Sequence, residues 1–142
     1  MGVQLSKPAL DVGIVTTNAE RMMAFYRDVL GLAVLDPIVF PGAGTVNRLV
    51  VGESLLRLFV PDTAPPRTSP GESFLACTGY RYVTLNTSNL HAVVAAAKRF
   101  GTPVPREPME IRPGVFMCQI QDPDGNWIEL MQSGAAATTA PR

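Results

Sequence analysis

The sequence has little of what marks the more specialised classes of protein. Its 142 residues contain two cysteines, one histidine and one tryptophan. Cys77 and Cys118 are too few for a disulfide framework or a paired-cysteine zinc site, and Cys118 lies in an apolar segment that favours a buried thiol. No apolar stretch approaches the roughly 20 residues of a membrane span, and the first ten residues lack the apolar core of a secretory signal. These absences predict a cytoplasmic protein that does not bind a membrane.

Charge is also scarce and balanced. Charged residues make up 17% of the chain, with 12 basic against 12 acidic side chains, so no electrostatic footprint for nucleic acid is present. Apolar residues make up 46%, enough at this length for a real core. We expect one domain over residues 1–135 and a disordered tail over residues 136–142.

What the sequence does contain is a pattern that occurs twice. The first helical segment ends at Gly31 and the second at Gly101, which are 70 residues apart. The last strand of each half carries a charged residue between apolar neighbours, Arg57 and Glu129, which are 72 residues apart. Nearly constant offsets predict two copies of one supersecondary unit, over residues 9–60 and 80–132, with a proline-rich linker between them at 61–78.

Each copy predicts a strand, a helix and three further strands. Residues 21–30 place apolar side chains on one helical face, and the second helix follows Ser88 or Asn89, either of which can cap it. The sole histidine, His91, falls on that helix, where we expect a surface position. The three strands that follow each helix are expected at residues 33–40, 45–51 and 54–60, and again at 104–111, 115–121 and 126–132.

Alternation along the strands then assigns side chains to the two faces of each sheet. Leu56, Leu58, Ile128 and Leu130 belong to purely aliphatic sets, which we expect beneath the helices. The opposite faces mix large apolar residues with a few polar ones: Asp11, Arg57, Phe59, Tyr82, Met117, Gln119, Trp127, Glu129 and Met131. An apolar surface with a few convergent polar groups is typical of a small-molecule site.

Two segments also carry a family resemblance: FYRDVLGL at residues 25–32 and DPDGNWIEL at residues 122–130. With the two-module spacing, they make the chain resemble the vicinal oxygen chelate superfamily, which includes glyoxalase I, bleomycin-resistance proteins and extradiol dioxygenases. The resemblance implies an α+β fold. In that fold two βαβββ modules with pseudo-twofold symmetry form a curled sheet around a central cavity. It also implies a homodimer.

The superfamily's metal site takes one ligand from each of four strands, and these positions fall at Asp11, Arg57, Tyr82 and Glu129. Arg57 cannot ligate a cation because it has no lone pair and stays protonated. We therefore predict no metal cofactor, against the alternative of a divalent metal. In its place we predict an ion pair in one cavity, with Arg57 between Glu129 and Asp11. Arg57 would also anchor an anionic or carbonyl group of the ligand, unless the pair is purely structural.

Two functions remain open at this point. One is a protein that sequesters or recognises a small organic ligand, as in the bleomycin-resistance branch, and binds it through Phe59, Met117, Gln119, Trp127 and Met131. The other is a metal-independent lyase, isomerase or cyclase, with Asp11 or Glu129 as base and Tyr82 with Arg57 as electrophile. A metal-dependent glyoxalase, epimerase or extradiol dioxygenase is the least favoured hypothesis.

Overall fold

The computed structural model describes residues 2–69 and 71–134, and the chain divides into two compact units, residues 1–68 and 69–142. Each unit contains one βαβββ module built on a four-stranded mixed sheet, so the predicted α+β class is confirmed. The expected disordered tail lies outside the described residues. That both units belong to one domain stays a prediction. Within the described residues, none of the helices combines the length and apolar character needed to cross a membrane.

The first unit runs β1 (Val12–Val15), α1 (Ala19–Ala24), a π-helical turn (Phe25–Val29), β2 (Ala33–Phe40), β3 (Gly44–Val51) and β4 (Ser54–Pro61). The sheet order is β1-β4-β3-β2, with β1 parallel to β4 and the other pairs antiparallel. Leu56 and Leu58 on β4 are buried, at 7% and 0% exposure, which confirms the expected aliphatic face.

The prediction of one continuous helix over residues 21–30 is wrong in its second half. From Phe25 the chain widens into the π-helical turn, where the Leu30 N–H donates to the Phe25 carbonyl at 3.3 Å. Phe25 and Tyr26 are both buried there, and their rings meet edge to face at 5.1 Å. Apolar spacing did not reveal the wider turn because the same residues stay on the buried side in either geometry. Gly31, at φ +70°, then ends the segment.

The second unit runs β5 (Tyr82–Asn86), α2 (Leu90–Phe100), β6 (Arg106–Arg112), β7 (Val115–Gln121) and β8 (Trp127–Ser133). Its sheet order, β5-β8-β7-β6, repeats that of the first unit, with β5 parallel to β8. Strand β6 begins two residues later than expected because Pro103 and Pro105 lack the N–H that a ladder requires. Ile128 and Leu130 are each 1% exposed and form the aliphatic face under α2.

A strand residue, not a local side chain, caps helix α2. The buried Gln132 side chain accepts the Leu90 N–H at 2.8 Å and donates to the Ser88 carbonyl at 2.9 Å. The expectation that His91 is a surface residue is wrong: it is partly buried, its Nε2 is buried with no described hydrogen-bond partner, and its ring meets that of Phe116 at 5.9 Å. His91 lies in the first turn of α2, on the flank that packs over β7.

The DPDGN segment owes its pattern to a buried carboxylate. Asp122, 1% exposed, accepts the N–H groups of Asp124 at 3.0 Å and Asn126 at 2.9 Å, and the Asn126 side-chain amide at 2.8 Å. Gly125 completes the turn at φ +85°. This turn leads from the end of β7 at Gln121 into β8 at Trp127. The DPDGN part of the signature therefore has a structural role.

The two cysteines differ sharply in environment. Cys118 is fully buried in β7, as the sequence predicted, and burial raises the pKa of its thiol to about 12. Cys77 is exposed, and both thiols are free. Neither lies within a paired-cysteine site.

Candidate functional site

One face of the second sheet packs under α2, and we call the opposite face the helix-free face. Three rows of side chains cross the strands on this helix-free face. Residues directly opposite one another on paired strands share a face, so the register defines each row. The aromatic row consists of Tyr82, Trp127 and Gln121. The polar row consists of Thr84, Glu129, Gln119 and Arg106. The methionine row consists of Asn86, Met131, Met117 and Met109. The polar row is thus flanked on both sides by large apolar or aromatic side chains.

The centre of the polar row holds two side chains with spare hydrogen-bonding capacity. Glu129 is partly buried and accepts the Thr84 hydroxyl at 3.2 Å through Oε1. Gln119, opposite it on β7, is only 5% exposed, and within the second unit no described residue hydrogen-bonds its side-chain amide. A carboxylate oxygen and a complete amide are therefore presented side by side.

A loop over residues 71–79 covers the aromatic end of this face and was not expected to contribute. Its Phe74 ring lies 5.8 Å from the Tyr82 ring and 5.4 Å from the Trp127 ring. The loop is held by main-chain carbonyls: the Trp127 indole N–H donates to Glu72 at 3.1 Å, and Arg81 donates to Phe74 at 3.1 Å. The sequence analysis assigned this segment to the linker because its apolar residues follow neither a helical nor a strand periodicity.

The helix-free face of the first sheet has a cationic centre. Asp11 accepts from Lys7 at 2.9 Å, from the Leu55 N–H at 2.8 Å and from the Arg57 guanidinium at 3.1 Å. The hydrogen bond from Lys7, together with that from the Leu55 N–H and the charge of Arg57, lowers the pKa of Asp11 below its ordinary value. Asp11 is therefore a fixed anion that positions Arg57. Arg57 itself is 48% exposed, so the steep cost of breaking a fully buried pair does not apply to it.

Arg48 is a site residue that the sequence analysis missed. It lies on β3 directly opposite Arg57, and its guanidinium donates twice to the Asp36 carbonyl, at 3.1 and 2.8 Å. The sequence of the β3–β4 hairpin could have indicated that Arg48 lies opposite Arg57. A two-residue turn at Gly52 and Glu53 pairs Val51 with Ser54, and counting back three residues on each side places Arg48 against Arg57.

The residues at the four expected metal-ligand positions do not fit a cation. In the first unit, Arg57 occupies one position, and the Asp11 carboxylate at the other is already bound by Lys7 and by Arg57 itself. In the second, Tyr82 is 52% exposed, and Glu129 is the only strong donor. Over residues 2–69 and 71–134, no three His, Cys, Asp or Glu side chains come together as a ligand set.

The fold and its two helix-free faces define the class of protein: a pair of βαβββ modules, each with a few polar side chains set among large apolar ones. The chain belongs to the glyoxalase/bleomycin resistance protein/dioxygenase superfamily, whose family model matches residues 10–130. The resemblance seen in the sequence is thereby confirmed. No curated protein matches the chain.

Solved structures share the fold at low sequence identity. A glyoxalase family protein from Bacillus cereus is 17% identical, with a TM-score of 0.80 over 92% of this chain and 96% of that one. Glyoxalase I from Zea mays is 21% identical, with a TM-score of 0.75 over 91% of this chain and 46% of that one. An antibiotic-binding protein from Streptomyces sp. is 21% identical, with a TM-score of 0.65 over 94% and 99%. At these identities the likeness establishes the fold alone.

Proposed function

We propose that the chain is a binding protein for a small planar organic molecule, held on the helix-free face of the second unit. The observation that carries the proposal is Gln119. Its side chain is only 5% exposed, and no described residue of the second unit hydrogen-bonds its amide, so the amide N–H and carbonyl groups are available to a ligand. Glu129, beside it in the polar row, has a second oxygen to offer the same ligand.

The rows on either side of this pair define the shape of the ligand. Trp127 and Tyr82 offer aromatic surface, and Met131 and Met117 offer adaptable apolar contact. The ligand that fits is a flat ring system with a polar edge. An N–H on that edge would donate to Glu129, and a neighbouring carbonyl would accept from the Gln119 amide. The antibiotic-binding relative in Streptomyces sp. supports a binding role on this fold.

The state of Asp11 bears on the alternative function, a metal-independent lyase, isomerase or cyclase. That reaction needs a base, and the candidates are Asp11 and Glu129, of which we assign Glu129 to ligand binding. With its pKa lowered by Lys7, Asp11 holds a proton too weakly to act as a base at neutral pH.

The single tryptophan makes this proposal directly measurable, because Trp127 is the only indole in the chain and lies in the aromatic row. We expect 2-quinolinone, a flat lactam with adjacent N–H and carbonyl groups, to quench Trp127 fluorescence saturably. Naphthalene, of similar area but without a polar edge, should bind at least about tenfold more weakly, since one charge-assisted hydrogen bond contributes about 1.5–3 kcal/mol. Equal affinity for the two probes would reject the polar row as the anchor.

We also propose a homodimer in the cytoplasm. Strand β2 is an edge strand on which five large apolar residues are exposed: Val34, Leu35, Ile38, Val39 and Phe40. An exposed apolar edge of this kind is suited to burial against a second copy. The two free thiols are consistent with a reducing compartment.

Light scattering on the eluting protein tests the assembly. We expect about twice the mass of one chain for the natural sequence and a monomer for Val39→Glu, since Val39 is 66% exposed and a charge there would block association. Thr17→Glu, an exposed substitution between β1 and α1, is the control and should leave the mass unchanged. A monomeric natural protein would contradict this proposal.

A further inference from the structure

Two arginines stand directly opposite each other on the first sheet, an arrangement that repulsion disfavours. Arg48 on β3 and Arg57 on β4 are register partners, and like charges in such positions destabilise a sheet. Each is anchored on its outer side, Arg48 by the Asp36 carbonyl and Arg57 by the Asp11 carboxylate. Neither anchor lies between the two guanidinium groups.

The local charge is not balanced within the first unit. Among the described residues of the first unit, Asp11 is the only carboxylate ion-paired to this cluster, and its other oxygen accepts from Lys7 at 2.9 Å. Asp36 contributes a neutral carbonyl to Arg48, and no described ion pair joins its carboxylate to either arginine. The three cationic side chains, Lys7, Arg48 and Arg57, are therefore accompanied by one ion-paired carboxylate, that of Asp11. Nε and Nη1 of Arg57 and Nη1 of Arg48 have no acceptor among the described residues of the first unit.

We infer that Arg48 and Arg57 form a binding site for an oxyanion, the carboxylate or phosphate group of a small organic molecule. Two guanidinium groups with unused N–H donors on one face suit the planar, multidentate recognition of such a group. The next row of the same face, Val15, Phe59 and Val46, is apolar, and Val15 is 57% exposed. An apolar body attached to the oxyanion would lie along that row.

Asp11 is the positioning residue of this site. Its carboxylate is tied to the Leu55 N–H at 2.8 Å and to Lys7, and from there it holds one edge of Arg57. The remaining edge of Arg57 is left available to the ligand. All the residues of this site belong to the first unit.

Isothermal titration calorimetry with three matched probes tests the inference: phenyl phosphate, benzoate and benzyl alcohol. We expect the two anions to bind and the alcohol not to bind measurably. Arg48→Met and Arg57→Met should each weaken binding of the anions at least about tenfold, the effect of losing a charge-assisted hydrogen bond. Phenyl phosphate binding tighter than benzoate would identify a phosphate ligand, and the reverse order a carboxylate. Raising the salt concentration should weaken both.

Two control variants distinguish anion binding at this site from a general effect of lost positive charge and from loss of folding. Arg112→Met, at the exposed end of β6, removes the same charge elsewhere and should leave anion affinity within twofold. Arg48→Lys keeps the charge but not the planar fork, so its affinity should fall between those of the natural protein and Arg48→Met. The inference is overturned if neither anion binds, if benzyl alcohol binds as well as benzoate, or if the Arg48 variants bind the anions with unchanged affinity.

Discussion

Glu129→Gln should weaken binding of 2-quinolinone by about tenfold to a hundredfold, because a charge-assisted hydrogen bond of about 1.5–3 kcal/mol becomes a neutral one or is lost. Gln119→Leu should weaken it by about threefold to tenfold, the range for a neutral hydrogen bond. Both effects are read from the quenching of Trp127 fluorescence. The two losses should not be additive, since both residues bind one polar edge of one ligand.

The matched control for this pair is Glu110→Gln. Glu110 is an exposed carboxylate on β6 of the same sheet, and it pairs in register with Phe116, which belongs to the helix side. Its substitution removes the same charge but should leave affinity unchanged. If Glu110→Gln weakens binding as much as Glu129→Gln does, the ligand responds to net charge and not to the polar row.

Asp122→Ala should lower the free energy of unfolding by about 3 kcal/mol or more, because three hydrogen bonds to a buried carboxylate are lost at once. Asp122→Asn should have a smaller effect, since one side-chain oxygen remains to accept the N–H groups of Asp124 and Asn126. Urea denaturation monitored by circular dichroism gives the comparison. Glu110→Ala, at an exposed strand position, should stay within about 0.5 kcal/mol of the natural protein. An Asp122→Ala midpoint equal to that of the control would contradict the prediction, because it would show that these hydrogen bonds do not stabilise the fold.

Alternation and spacing were enough to predict the strands and their faces. Leu56, Leu58, Ile128 and Leu130 lie on the helix side, and Trp127 and Glu129 lie opposite, because a strand has a fixed period of two and the hairpin turns fix its register. Periodicity could not predict the π-helical turn, since both helical geometries keep Phe25 and Tyr26 buried. Nor could it find Phe74, whose position depends on long-range hydrogen bonds made by Trp127 and Arg81.

The partners of Arg57 and Asp11 could be predicted only in part from the sequence. Arg57 was expected between Glu129 and Asp11, and within the first unit it does bind Asp11. The expected pairing with Glu129 in one cavity stays a prediction. Lys7 could not have been foreseen as a partner of Asp11, because the segment before β1 has no regular structure from which a side-chain direction could be inferred. Because Lys7 lowers the pKa of Asp11, this carboxylate is suited to positioning Arg57 and poorly suited to acting as a base.

A crystal structure of the protein with 2-quinolinone bound tests the central claim most directly. The account predicts the ring against Trp127 and Tyr82, the lactam N–H within hydrogen-bonding distance of Glu129, and the lactam carbonyl accepting from the Gln119 amide. A ligand bound elsewhere on the chain, with the Gln119 amide still unpartnered, would contradict it.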